Sequence, residues 1–176
     1  MNTTSQKKHL IGQIPDCDPH IGRWLWALED TRDRTRRHIN SLHPRALDLI
    51  PNESGNSIST LLYHIAAIEA SWLFTDVLEE EFSPDVDDLF PHNVRDELGR
   101  LTNVHGISME GHFQRLDHVR AILLGTYREM TLTEFRRSRS IEDHIVSPEW
   151  VIHHLIQHEA EHRGQIMAVS SQVNIK

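Results

Sequence analysis

The 176-residue chain contains one cysteine, Cys17. That excludes an internal disulfide framework and a thiolate zinc site, both of which need several cysteines. Long apolar runs are scarce as well. None approaches the roughly 18 residues of a membrane span, and the opening MNTTSQKKHLIGQIPDCDPH lacks the apolar stretch of a secretory signal. A cytoplasmic protein with no membrane partner is expected. Positive charge is in short supply: 18 Lys and Arg stand against 26 Asp and Glu, for a formal net charge of -8. Nucleic-acid-binding domains usually show a basic patch, so nucleic acid is not an expected partner. The one basic cluster, FRRSRS at 135–140, reads as a solvated connection between helices. Repeats, low-complexity segments and domain boundaries are also missing, and the length suits one domain, 1–176, with residues 1–19 as an N-terminal extension.

Histidine is what the chain has in excess. There are 14, and His153, His154, His158 and His162 fall within ten residues. The last two bracket Glu159, Ala160 and Glu161, so that 158–162 reads H-E-x-x-H. On a helix this is the zinc site of many metalloproteases, with the Glu as general base.

Apolar periodicity predicts four helices. The first runs from about Ile21 to Leu42 on Ile21, Trp24, Leu25, Leu28, Ile39 and Leu42. Its stripe is interrupted where Thr31, Arg32 and Thr35 replace the expected aliphatics, as on a solvated face or beside a polar pocket. The second begins after Asn56 or Ser57, either of which can cap it, and carries Ile58, Leu61, Leu62, Ile65, Ile68 and Trp72, with His64 at the edge of the stripe. A long acidic connection, 79–106, comes next, with a short helix expected near Val94–Leu101. The third helix spans about Ser108 to Met130. The fourth opens with Ser147 as cap, Pro148 in the first turn and Glu149 at the positive end of the dipole. Its inward positions are Val151, Leu155, His158, His162, Ile166 and Val169. Four helices of about 20 residues imply an all-α bundle.

Residues four apart on a helix share a face, so two imidazoles at that spacing can converge on one ion. The fourth helix offers His154/His158 and His158/His162. The three cannot bind together, because eight residues span about 12 Å of axis. A third ligand must come from another helix, and His64 is the best placed. His9, His20, His38, His43, His92, His105, His112, His118 and His144 are expected at the surface or at caps. The protease reading fails downstream of the motif, where RGQIMAVSSQVNIK contains no His, Asp, Glu or Cys to serve as a further ligand.

The segments TLLYHIAAIEASWL at 60–73 and SPEWVIHHLIQHEAEHRGQI at 147–166 resemble the DinB/YfiT-like family, and the ending H-x-x-x-H-R-G-Q is the most specific part. The resemblance runs over nearly the whole chain after about residue 20. It implies a four-helix bundle connected up-down-down-up, with the long connection joining two helices that run the same way. It also implies that the metal ligands are His64, His158 and His162, with His154 set aside.

Three neutral histidines leave a coordination position open, in the style of a catalytic site. Zinc suits imidazole best; nickel, iron, cobalt or manganese would accept the same ligands. Some proteins similar to this family use such a metal to activate a low-molecular-weight thiol. This implies a metal-dependent transferase acting on a small-molecule substrate, with a non-catalytic metal-dependent binding or stress-response protein as the alternative. Glu159, about 100° around the helix from His158, and Glu161 are the candidate bases. Arg163 is expected to pair with a carboxylate on a neighbouring helix, and Gln165 to orient a histidine. The pocket is expected among the first, second and fourth helices. Exposed helix faces leave room for a homodimer.

Overall fold

The computed structural model of the chain describes residues 9–51, 55–141 and 143–172, so residues 1–8 of the expected N-terminal extension lie outside it. The first helix, α1, is Pro19–Ile39. It starts where Asp18 accepts from the His20 amide at 2.8 Å, with Pro19 in the first turn, where a missing N–H costs nothing. α2 is Ile58–Ser71, capped by Ser57 through the Thr60 amide at 3.1 Å. It continues without a break into a π-helical segment, Trp72–Leu78. A single turn, α3, Pro84–Asp87, interrupts the acidic connection. α4 is Met109–Arg128, capped by Ser108, and α5, Leu132–Arg136, is short. Strands β1, Arg139–Ile141, and β2, His144–Val146, pair antiparallel. α6, Pro148–Gln172, opens on Ser147, whose Oγ accepts from the Trp150 amide at 3.3 Å.

Four long helices build the core. Ile21, Leu25 and Leu28 of α1, Leu61, Leu62 and Ile65 of α2, Leu116, Val119 and Leu123 of α4, and Val151, Leu155 and Ile166 of α6 are all buried. Cross-helix contacts give the directions. Along α1 and α6, Trp24 meets Glu149, Arg32 meets Glu159 and His38 meets Ser170, so these two run the same way. Along α2 and α4, Tyr63 lies under Arg115 and Glu69 meets Arg120, so these are also parallel to each other. α2 meets α6 head to tail: His64 lies by His158 and His162, and Trp72 by Trp150 and His154. The order is up-down-down-up, and residues 79–107 cross between α2 and α4.

Several expectations change. Val94–Leu101 is not a helix. Arg95 and Leu101 face each other across a bridge, closed by Gly99 at φ 77°, a left-handed conformation that favours glycine. The stretch 135–140 is not wholly solvated: Phe135 is fully buried, and Arg139 is buried and donates to the Val77 carbonyl. Thr31, Arg32 and Thr35 are buried, on neither a solvated face nor a pocket wall. His112, expected at the surface, is 1% exposed, and neither ring nitrogen has a hydrogen-bond partner among the described residues. Finally, Ile58–Leu78 is long and apolar enough to cross a membrane by length and composition, against the sequence reading. Its place between α4 and α6, with 72% of the apolar window buried, accounts for that composition.

Candidate metal centre

His64 projects from the middle of α2 and is 5% exposed. His158 and His162 project from adjacent turns of α6, and the antiparallel packing of α2 on α6 brings all three rings together. His158 Nε2 stands 3.1 Å from His64 Nε2 and 3.0 Å from His162 Nε2. The three ligand atoms all lie within 4.8 Å of one another. A tetrahedral ion with bonds of about 2.0–2.1 Å spaces its nitrogens by about 3.3 Å; the two pairs that include His158 are already near that spacing, and His64 and His162 would draw together for all three to reach one ion.

The electrostatics favour neutral rings. Burial, reinforced by the neighbouring imidazoles, pulls His158 down to about 3. Burial and the nearby His162 and Arg95 pull His64 down to about 4. Burial also lowers His162, against the opposing pull of Gln165 and Glu161. At neutral pH the three nitrogens therefore face one another as lone-pair donors competing for few protons. Gln165 Oε1 stands 3.1 Å from His162 Nδ1 and can only accept there. It fixes the proton on Nδ1 and leaves the Nε2 lone pair directed at the cluster. Gln165 thus orients a histidine as its place in the sequence suggested.

The cluster opens into a cavity of about 360 Å³. α2 and α6 contribute Ile68, Trp72, His154 and Gln165 to its wall, and the connections contribute Asn56, Arg95 and Leu101. α1 contributes nothing, contrary to expectation, because its polar middle faces the core. His154 lines the cavity but stands apart from the cluster. Its ring stacks on Trp150, 5.2 Å away at an interplanar angle of 2°, and lies 4.9 Å from Trp72. A larger cavity of about 740 Å³ beside Glu79, Glu80 and Glu81 has no histidine in its lining.

Glu159 does not stand at this cavity. One residue after His158, it is turned about 100° around α6, toward α1, and is 1% exposed. Its two oxygens accept from Arg32 Nε at 3.0 and 3.1 Å, and Arg120 Nη2 approaches to 3.3 Å. Both arginines also hold Glu69: Arg32 at 2.7 Å, Arg120 at 2.6 and 2.8 Å. Arg120 reaches out further to the half-exposed Glu29 at 2.6 Å. Burial pushes the Glu159 carboxyl up, but Arg32 and Arg120 outweigh it and the net direction is down. The geometry therefore gives Glu159 a place in a buried ion-pair cluster and not that of a base. Glu161 is exposed, and its charge is felt at His162 and His154. Arg163 donates to the Thr31 carbonyl at 3.2 Å and pairs with no carboxylate among the described residues. The sequence reading missed Glu69 and Arg120 altogether. Their signal was a lone acid in the apolar run AAIEASW and an arginine inside the α4 stripe between Val119 and Leu123.

The family model of the DinB superfamily matches residues 27–166, a span that contains all three histidines, the whole of α2 and α4, and most of α1 and α6. The chain belongs to the DinB superfamily. A crystal structure of a conserved protein from Enterococcus faecalis is similar in fold, with a TM-score of 0.65 over 85% of this chain and 94% of that one. The two are 12% identical, so the likeness concerns the fold alone. Among curated proteins none matches. In this DinB-superfamily chain, then, a three-histidine cluster compatible with metal binding sits at the foot of an open cavity.

Proposed function

We propose that the protein holds one divalent ion, zinc in first place, through His64, His158 and His162, and acts as a metal-dependent transferase on a low-molecular-weight thiol. The observation that carries this reading is the grouping of three imidazole Nε2 atoms, all within 4.8 Å of one another, at the base of a cavity. Three ligands from the protein leave the ion open on the cavity side, whereas structural zinc sites are closed by four. Bound there, the ion supplies a charge of +2 that lowers the pKa of a thiol or water reaching it. The chain's own residues do the rest. Gln165 holds the His162 tautomer, Trp72 and Ile68 give the cavity an apolar side, and burial of the rings keeps protons from competing for the nitrogens. Of the two carboxylates in the motif, only Glu161 is placed to exchange protons with solvent near the site.

A peptidase reading is disfavoured by the same geometry, since the motif's first glutamate is locked between two arginines. The reading is tested on protein purified without immobilised metal. About one ion per chain is expected, and each of His64→Ala, His158→Ala and His162→Ala should lose most of it while His154→Ala keeps it. In cobalt-substituted protein, thiols at millimolar concentration should add a sulfur-to-cobalt band in the near ultraviolet. Metal retained without a thiol response would move the protein to the class of non-catalytic metal-binding proteins.

A further inference from the structure

The cavity over the histidines does not end at its own rim. Asn56, Arg95 and Leu101 also border a second cavity of about 500 Å³, which continues past Thr60 and Asn103. Arg95 stands at the junction of the two. It is carried by a closed turn: Arg95 pairs with Leu101 across the bridge, and the Asp96 amide donates to the Arg100 carbonyl at 2.8 Å. The two arginines of that turn differ in how their charge is used. Arg100 is committed to Asp96, at 2.8 Å. Arg95 donates through Nη1 to the neutral Gly99 carbonyl at 2.8 Å, and no carboxylate among the described residues lies within ion-pair distance of it. Its charge is close enough to His64 to help disfavour protonation of that ring.

Resting on the reading that the histidines hold a metal, we propose that Arg95 forms the anion-binding end of this double cavity. The ligand is then a small molecule carrying a carboxylate, whose thiol end faces the histidines. A guanidinium presents several donors in one plane and binds a carboxylate through paired, charge-assisted bonds. On a chain with a formal net charge of -8, a cation at a cavity mouth without an acidic partner among the described residues also gives an incoming anion a local reason to approach. The turn fixes the backbone that carries Arg95, and one bond from its exposed side chain to the Gly99 carbonyl directs the guanidinium.

The test uses cobalt-loaded protein and three thiols of similar length: 3-mercaptopropionate, 2-mercaptoethanol and cysteamine. The carboxylate thiol should half-saturate the near-ultraviolet band at a concentration roughly tenfold or more below that of cysteamine, the range of one charge-assisted contact. Arg95→Gln should bring that ratio close to one, and Arg34→Gln, an exposed arginine in the lining of neither cavity, should keep the preference. An absent preference in the wild type, or one that survives Arg95→Gln, overturns the proposal. A second arm needs no thiol. By calorimetry, glutarate should bind and glutaramide, its uncharged counterpart, should not, with glutarate binding lost in Arg95→Gln. If thiols leave the cobalt spectrum unchanged while glutarate binds through Arg95, the anion end stands and the thiol reading falls. If glutarate and glutaramide behave alike, the anion end falls whatever the metal does.

Discussion

Glu159→Ala is expected to lower the melting temperature by about 6–20 °C while leaving the histidine cluster able to take up its ion. The magnitude comes from the company the carboxylate keeps. Its side chain is 2% exposed and those of Arg32 and Arg120 are 4% and 5% exposed, so water cannot replace the lost partner. Removing one member of a buried pair costs about 3–5 kcal/mol, most of it the penalty of leaving the opposite charge buried. For a domain of this size each kcal/mol moves the midpoint by about 2–4 °C. Calorimetry of wild type and variant, with metal content measured on the folded protein, reads both quantities. The acid limb gives a further check. Because the folded Glu159 carboxyl sits below its ordinary value, its contribution is complete above about pH 4.5 and is lost as pH falls through the folded value. The two stability curves should therefore converge in acid. A variant that melts within about 2 °C of wild type but no longer binds metal or responds to thiols would refute the reasoning and return Glu159 to the site.

Four further outcomes are expected. Gln165→Leu should weaken metal affinity about 10–100-fold by freeing the His162 tautomer, which a competition titration with a chromogenic chelator would show. Chelation should lower the melting temperature and leave the far-ultraviolet helical signal intact, because the apolar core does not depend on the ion. Burial holds His112 down at about 4, so below about pH 6.5 the unfolded chain takes up this proton more readily and stability falls until about pH 4. His112→Leu should flatten that part of the stability-against-pH profile by about 3 kcal/mol, read from melting curves at each pH. Gly99→Ala should strain the turn that carries Arg95, since φ is 77° there, and weaken carboxylate binding more than overall stability.

The four long helices were legible because each has a cap and an apolar stripe that a 3.6-residue period exposes. Ser57 and Ser147 cap where the pattern placed them, and Ser108, the expected start of the third helix, is its cap. The histidine cluster was legible for a related reason, since His158 and His162 are one turn apart and His64 breaks into an apolar face. What periodicity cannot report is which side of a helix faces which neighbour. His158 and Glu159 are adjacent letters about 100° apart on the helix. Only the packing of α1 and α2 on α6, with Arg120 reaching across from α4, decides that the first meets a cavity and the second a pair of arginines. The gap at Thr31, Arg32 and Thr35 was misread because a polar interruption in one stripe has no meaning until the partners opposite it are known. Here they are Glu69 and Glu159, 37 and 127 residues away. The turn at 94–101 was missed since its cross-strand bridge involves a single residue pair, with no run of alternating residues to signal it.

The cluster of Arg32, Glu69, Arg120 and Glu159 also constrains how this sequence can change over time. A well-packed apolar set in the same place is often as stable as a buried ion network. The route to it, however, passes through chains with one charge missing, each weaker by about 3–5 kcal/mol. Domains of this kind have only about 5–15 kcal/mol in all. The four residues therefore behave as a single inherited character, spread over four helices, that substitutions must alter together or leave alone. His64 shares α2 with Glu69, and His158 precedes Glu159. A shift in the register of either helix would therefore disturb the ion cluster and the histidines together.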